Sequence, residues 1–195
     1  MTQEATTPSI NQLSVKNGLI LGGISAGLSI VFYIINPVLQ YTSLLVLLFT
    51  VVLGIALIVV LAIDIRKKIG GFWSFGKAYV SLMIMSVVAI LIGILLGFII
   101  FKFVDPTMPG KVNDALADVT QQRLEKFGMQ QDQIDVAMKP FTNGENLAKL
   151  QPTLFNEAKN FLIALIGYGI VNLIIAAIIK KKPPMFATID ADAVV

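Results

Sequence analysis

Long apolar stretches dominate this chain, and short polar segments separate them. The charge-free stretches cover residues 17–63, 78–101 and 160–179, and Asn36-Pro37 interrupts the first of them. A helix needs about 20 apolar residues to cross a hydrocarbon core. Because a residue that precedes proline avoids the α conformation, the first stretch is predicted to form two helices. The pattern therefore predicts an all-α fold, a polytopic membrane protein with a bundle of four transmembrane helices.

The polar positions between the stretches set the predicted segments. Helix 1 is expected at residues 15–35, helix 2 at 42–63 and helix 3 at 75–103. Five segments follow in chain order: a flexible N-terminal arm (1–14), transmembrane helices 1–3 (15–104), an extracytoplasmic loop (105–159), transmembrane helix 4 (160–182) and a flexible cytoplasmic tail (183–195).

The extracytoplasmic loop is the one long polar region, and it is predicted to be a helical insertion rather than an unstructured connection. Apolar residues recur at helical spacing within residues 111–127 and 129–139, with Gly128 as a stop between them and Pro140 after them. Two amphipathic helices of this kind can lie on the bilayer, cap the bundle or dock a partner. The candidate docking residues are Val112, Leu116, Val119, Phe127, Ile134 and Met138.

Lysine and arginine residues cluster at the membrane ends on one side of the predicted bundle. Arg66, Lys67 and Lys68 follow helix 2, and Lys180, Lys181 and Lys182 follow helix 4. The positive-inside rule therefore places both termini in the cytoplasm. The same cations, together with Trp73 at the start of helix 3, are predicted to contact the lipid headgroups.

Composition excludes several classes of function. The chain contains no Cys and no His, and its net charge is only +3. Thiol chemistry, Cys–His zinc sites and haem ligation by His are therefore absent. No motif of a known catalytic or nucleotide-binding class occurs, and no basic run is interleaved with aromatics. We therefore expect no enzymatic activity, no cofactor, no metal and no nucleic-acid partner.

Small residues recur at intervals of four along the predicted spans, and they can have two roles. Such faces let helix backbones approach closely, either within one bundle or between two copies. Three such faces in one chain favour packing within the bundle. The residues are Gly18, Gly22, Gly23 and Gly27 on helix 1, Gly93 and Gly97 on helix 3, and Gly167 on helix 4.

Polar side chains inside the spans also allow two interpretations. Seven of them could line a path for a neutral solute, and they are Ser25, Ser29, Thr50, Ser81, Ser86, Tyr168 and Asn172. Such side chains more often bond to their own helix or bridge to a neighbouring one, and this structural interpretation is preferred. Buried charge is the usual mark of an ion pathway, and the central parts of the four spans carry none.

Three sequence features resemble an uncharacterised bacterial membrane family, domain of unknown function 4199. They are the stretch Gly71-Phe-Trp-Ser-Phe75-Gly-Lys-Ala78, Asp105-Pro106 at the end of helix 3, and Arg123-Leu-Glu-Lys-Phe127-Gly-Met129 before a Gln- and Asp-rich helix. The resemblance spans about residues 16–182. It implies four transmembrane helices, a helical insertion before the last of them, and a bacterial inner-membrane location. It implies no activity and no catalytic residue.

Two functions remain open from the sequence. The first is a non-enzymatic accessory or scaffold component that docks a membrane-protein partner through the 105–159 loop. The alternative is a small oligomeric transporter or channel for a neutral or small solute. A foreign partner in the bilayer would favour the first, and a homo-oligomer would favour the second.

Overall fold

The computed structural model describes residues 9–182, and this part of the chain is helical apart from short connections. The arm up to Pro8 and the tail from Pro183 lie outside the described residues. The helices are α1 (Ile10–Ile35), α2 (Leu39–Thr42), α3 (Leu44–Lys68), α4 (Phe75–Ile99), α5 (Met108–Lys126), α6 (Gln131–Thr142), α7 (Glu145–Leu150) and α8 (Leu154–Ile179). Among the described residues, α1, α3, α8 and α4 with its extension to Val104 are long and apolar enough to cross a membrane, which confirms the predicted fold class.

Helix α1 begins five residues earlier than its predicted start at Val15. Ser9 and Gln12 form a capping box, in which each side chain bonds to the backbone of the other residue. This arrangement satisfies two amide groups at the helix start. Residues 10–14 are therefore helical, whereas the prediction placed them in a flexible arm.

The long helices alternate in direction. Each end of the bundle therefore contains the starts of two long helices and the ends of the two others. Gly18 of α1 approaches Met85 of α4, and Gly22 approaches Ala89, so α1 and α4 run parallel. Arg66 near the end of α3 reaches the carbonyl of Ile179 at the end of α8. The start of α1, the ends of α3 and α8 and the start of α4 thus form one end, which we call the basic end.

The packed core of the bundle lies in its half nearest the basic end. The buried residues of α1 all fall between Leu13 and Gly22, and those of α3 between Ile58 and Ile65. In α8 burial begins only at Gly169. The opposite halves of these helices contribute no fully buried side chain among the described residues. The bundle is therefore closed at one end and loosely packed at the other.

Helices α5, α6 and α7 cover the loosely packed end and form a unit that we call the cap. Val112 of α5 and Ile134 of α6 are buried. The Asn113 side chain bridges α6 and α7. Its amide nitrogen donates to the Phe141 carbonyl, and its amide oxygen accepts from the Asn146 side chain. Arg123 donates to the carbonyl of Thr42 (3.2 Å), which ties α5 to the link between α1 and α3.

The prediction of two cap helices is confirmed and extended by the short α7. Gly128 ends the α5 segment with a positive φ of 71°, as expected for a glycine stop. Pro140 does not end α6, which continues to Thr142. Proline removes one backbone donor and leaves the carbonyl four residues earlier unpaired, and this loss is tolerated one turn before the exposed helix end.

Candidate functional site

A cleft of about 730 Å³ lies among α1, α3 and α8. It lies in the loosely packed half, at the level of residues 24–32, 50–58 and 164–171. Ile24, Val51 and Ile55 line it and are also exposed, so the cleft is open on one side. These positions belong to helices that are long and apolar enough to cross a membrane, so we expect the opening to face the hydrocarbon region.

The lining of this cleft is apolar along its length and polar at the end below the cap. No charged side chain lines it. Ser25, Ser29, Gln40 and Tyr41 form a polar cluster there, and they also line a second cavity of about 140 Å³ on the other side of α1. The Ser29 hydroxyl donates to Oε1 of Gln40 (3.1 Å), which connects α1 to α2. We call these four residues the polar cluster.

A π-helical turn helps to position the polar cluster. Helix α4 continues as a π-helix over Ile100–Val104, in which backbone hydrogen bonds join residues five apart instead of four. This turn brings Phe101 to the Tyr41 ring, with 6.3 Å between ring centroids. Partial burial raises the pKa of the Tyr41 hydroxyl above its ordinary value of 10.0. Tyr41 therefore stays protonated at neutral pH and can donate a hydrogen bond.

The predicted packing glycines fall into two groups. A Cβ atom added at Gly18 would lie 2.7 Å from the Met85 carbonyl oxygen, and one at Gly22 would lie 3.1 Å from the Ala89 Cα. These two glycines therefore hold α1 against α4. The remaining five have no neighbouring atom within 4 Å of an added Cβ among the described residues, so they do not set a helix contact within the bundle; they are Gly23, Gly27, Gly93, Gly97 and Gly167.

Three of the polar residues that could have lined a solute path are buried inside the closed half, whereas the other four line the cleft. Ser81, Ser86 and Asn172 are all at most 1% exposed. The Asn172 amide nitrogen donates to the Ser86 hydroxyl (2.9 Å) and so joins α8 to α4. The Asn172 Oδ1 atom has no partner among the described residues. This geometry is that of an interhelical contact, not of a solvent-lined path.

The basic-end residues divide between structural and exposed positions. The Arg66 guanidinium donates to the Ile179 carbonyl (2.8 Å) and thereby caps the C-terminus of α8. Lys68 pairs with Asp64 at 2.6 Å. Lys67, Lys180 and Lys182 are exposed and form no ion pair among residues 9–182. The Lys181 ammonium lies 6.0 Å from the centre of the Phe72 ring.

The prediction that Trp73 contacts the lipid headgroups is wrong. Its side chain is only 1% exposed. The backbone of Trp73 donates to the Lys181 carbonyl (2.7 Å) and accepts from the Lys181 amide (2.9 Å). This pair of bonds fixes the connection before α4 across the end of α8, and the indole is consequently enclosed by protein. Phe72 and Phe75 beside it are exposed.

The predicted docking residues serve mainly to hold the cap together. Val112 and Ile134 are buried, and three others are half-buried: Leu116, Val119 and Met138. Phe127 is the exception, because it is 83% exposed. Val136 on α6 was not among the predicted docking residues, and it is 61% exposed. The outer apolar surface of the cap is thus smaller than the predicted stripe, and partly different.

The sequence named Ser25 and Ser29 of the polar cluster as possible lining residues of a solute path, but it did not identify Gln40 and Tyr41, although one signal was available. Gln40 and Tyr41 stand in a charge-free link between two spans, where polar side chains are uncommon. Their approach to Ser25 and Ser29 depends on tertiary structure. Among the described residues no group of acidic, Cys or His side chains could hold a metal ion. The arrangement is suited to hydrogen bonding with an uncharged group.

Comparison with known proteins gives a family without a described activity. The family described as "Protein of unknown function (DUF4199)" matches residues 16–181. No curated protein and no solved structure matches the chain. The match covers the four long helices and the cap between the third and fourth of them. This chain therefore belongs to the DUF4199 family, as its sequence features indicated.

Proposed function

We propose that this protein is a non-enzymatic accessory or scaffold component that docks another membrane protein through its cap. The cap supports this proposal, because it is fixed to the bundle and still exposes large apolar side chains. The outer docking surface consists of Phe127 and Val136. A partner that reaches this surface beside the apolar flanks of the bundle is itself a membrane protein.

The cap is suited to docking because several polar contacts hold it in place. Arg123 ties α5 to the carbonyl of Thr42. At the other end of α5, the Lys111 ammonium lies 2.6 Å from the Asp105 carboxylate. Hydrogen bonds from Lys111 and Thr107 hold the pKa of Asp105 below its usual value of 3.8. A surface that is already ordered loses little conformational entropy when a partner binds.

The exposed apolar residues of the cap are not needed for its own packing. Phe127 lies one turn beyond Arg123, on the same face of α5, because residues four apart on a helix are neighbours. Arg123 is bonded to Thr42 at the bundle edge, so we expect Phe127, which is 83% exposed, near that edge. Large aromatic side chains that remain exposed are typical anchors of protein interfaces.

The burial of Ser81, Ser86 and Asn172 counts against the alternative of an oligomeric channel around these residues. A pore needs polar atoms that face water or a gap between copies. All three lie within one bundle, and Asn172 is bonded to Ser86. This alternative therefore loses three of the seven polar residues considered for its path, whereas the other four line the cleft.

We further propose a bacterial inner-membrane location, with both termini in the cytoplasm and the cap outside. The exposed cations Lys67, Lys180 and Lys182 all belong to the basic end. Cations near helix ends favour the cytoplasmic side, and each gains about 1 kcal/mol near anionic lipid. The acidic residues of the cap region offset its cations.

Docking is tested by extraction of the full chain from native membranes into nanodiscs, followed by mass spectrometry of co-purified proteins. A foreign membrane protein at constant stoichiometry is expected, and Phe127→Ser with Val136→Glu should remove it. Gln122→Ala, at an exposed polar position on α5, is the matched control and should retain the partner. A lone chain or a homo-oligomer in every preparation would contradict the proposal.

A further inference from the structure

The cleft among α1, α3 and α8 leaves polar atoms without protein partners at the level of the hydrocarbon. The hydroxyl groups of Ser25 and Tyr168 line the cleft, and neither forms a hydrogen bond within residues 9–182. Thr50, also on the wall, instead bonds to the carbonyls of its own helix. Polar groups without partners are costly in a medium that offers no water. A ligand that brings a hydrogen-bonding group to this wall would remove that cost.

The chemistry of the lining selects the class of ligand. No charged residue lines the cleft, so a phosphate or carboxylate headgroup would enter without a counter-charge. Burial of an unpaired charge is far more costly than burial of a neutral polar group that finds a partner. The polar cluster offers hydroxyl and amide groups, which suit a hydroxyl or carbonyl group of a ligand. Apart from Thr50 and the Tyr168 hydroxyl, the remaining wall offers contacts for an apolar chain.

Size and access agree with this class. The volume of about 730 Å³ falls within the range of roughly 300–1,000 Å³ of small-molecule pockets. The exposed lining residues include Ile24 of α1, Val51 and Ile55 of α3 and Gly167 of α8. A molecule already dissolved in the bilayer can therefore enter sideways, without crossing the cap or the closed basic end.

We propose that this cleft binds one uncharged amphiphile from the bilayer, with a single apolar chain and a hydroxyl- or carbonyl-bearing headgroup. The chain lies between α3 and α8, along Gly54 and Gly167. The headgroup lies at the polar cluster, where Gln40 and Tyr41 are positioned by Ser29 and Phe101. This site goes beyond the proposed function and does not depend on a docked partner.

The test uses the full chain in nanodiscs of phosphatidylethanolamine and phosphatidylglycerol with a photoactivatable analogue of monooleoylglycerol. Adducts are mapped by mass spectrometry and are expected on the cleft walls of α1, α3 and α8. Unlabelled monooleoylglycerol should compete, whereas oleate and added phosphatidylglycerol should not. Labelling spread evenly over the outer faces, or equal competition by phosphatidylglycerol, would overturn the proposal.

Two variants and one control make the test specific. Gly54→Leu fills the cleft at a position with open space and should lower the adduct yield about tenfold, a loss of about 1.4 kcal/mol in binding. Gln40→Leu keeps the volume and should lower it similarly, which preserves the test if Gly54→Leu does not fold. Gly23→Leu, with equally open surroundings outside the cleft, should leave it unchanged. Unchanged labelling in both cleft variants would refute the site.

The same nanodisc preparation also tests whether ligand binding in the cleft is independent of partner docking at the cap. Phe127→Ser with Val136→Glu should leave the adducts on the cleft walls as they are, because neither residue lines the cleft. Loss of the partner with retained labelling would support both ideas independently. Loss of labelling in this cap variant would contradict a ligand site confined to α1, α2, α3 and α8.

Discussion

The two halves of the membrane bundle are built from similar apolar helices and yet pack differently. At the basic end, small residues and interhelical bonds bring the helices together: Gly18 meets the α4 backbone, and Asn172 bonds to Ser86. At the cap end, glycines such as Gly27 and Gly97 have open surroundings among the described residues. Small residues therefore permit close packing without enforcing it. Specific contacts decide which half closes, and the other half is left with a cleft.

The largest expected effect comes from Gly18→Leu, which would convert the closed half into an open one. The added side chain meets backbone atoms of α4, which cannot move away as a flexible side chain can. Overpacking of this kind costs about 1–3 kcal/mol. Unfolding by SDS in mixed micelles measures it, with Gly23→Leu as the control at an open position. Equal stability of the two variants would show that α1 and α4 are not in close contact.

A smaller effect is expected at the junction of α3 and α8. Arg66→Met removes the charged donor to the Ile179 carbonyl, and a hydrogen bond from a charged group contributes about 1.5 kcal/mol or more. The same unfolding assay applies, with faster hydrogen exchange expected at the end of α8. Lys67→Met, at an exposed neighbouring position, should have little effect. A similar loss in both variants would point to general charge effects instead of the cap on α8.

The contact between α4 and α8 can be measured by a double-mutant cycle. Asn172→Ala and Ser86→Ala should be coupled by about 0.6 kcal/mol, the average for such bonds in membrane helices. The cycle is read from the free energies of unfolding of the two single variants and the double variant. Additive effects would mean that the amide and the hydroxyl do not interact in the membrane.

The smallest effect is expected at the cap end, where Asp105 accepts hydrogen bonds from Thr107 and Lys111. Its pKa is lowered in the folded protein by the hydrogen bond from Lys111 first and then that from Thr107. The stabilisation is therefore present above the ordinary pKa of 3.8 and is lost as the pH falls through the lower folded value. Because the pair is exposed, its contribution is small.

This pH dependence is measured as the difference in melting temperature between the parent chain and Asp105→Asn. The difference should be largest at neutral pH and should shrink on acidification below 3.8. The buried contact between Asn172 and Ser86 has no titratable group, so its coupling should not change over this range. A melting-temperature difference that grows on acidification would contradict a lowered pKa of Asp105 in the folded protein.

The sequence was sufficient to predict the four spans and the helical cap, because apolar length and periodicity are local properties. The capping box of Ser9 and Gln12 is equally local, and its serine-x-x-glutamine spacing could have corrected the start of α1. The burial of Trp73 could not be predicted in this way, since it depends on backbone bonds to Lys181, far along the chain.

The candidate site was the least predictable part. Ser25 and Ser29 have the same spacing as many small residues that pack against a neighbouring helix. Their role depends on the separation of α3 from α8 and on the π-helical turn that brings Phe101 to Tyr41. Neither feature has a periodic signature in the sequence. The same is true of the glycines. The sequence does not distinguish Gly18, at a close helix contact, from Gly23, which has open surroundings.

Helices α3 and α8 are close at the basic end, where Arg66 bonds to Ile179, and separate towards the cap, where they line the cleft. The chain has no Cys, so pairs of introduced cysteines can carry spin labels without background. The pair at Lys67 and Lys180 reports the basic end, and the pair at Val52 and Ile166 reports the cleft level; all four positions are exposed. Pulsed electron paramagnetic resonance in nanodiscs should give the longer distance for the cleft pair. An equal or shorter distance for that pair would contradict the open half and remove the cleft.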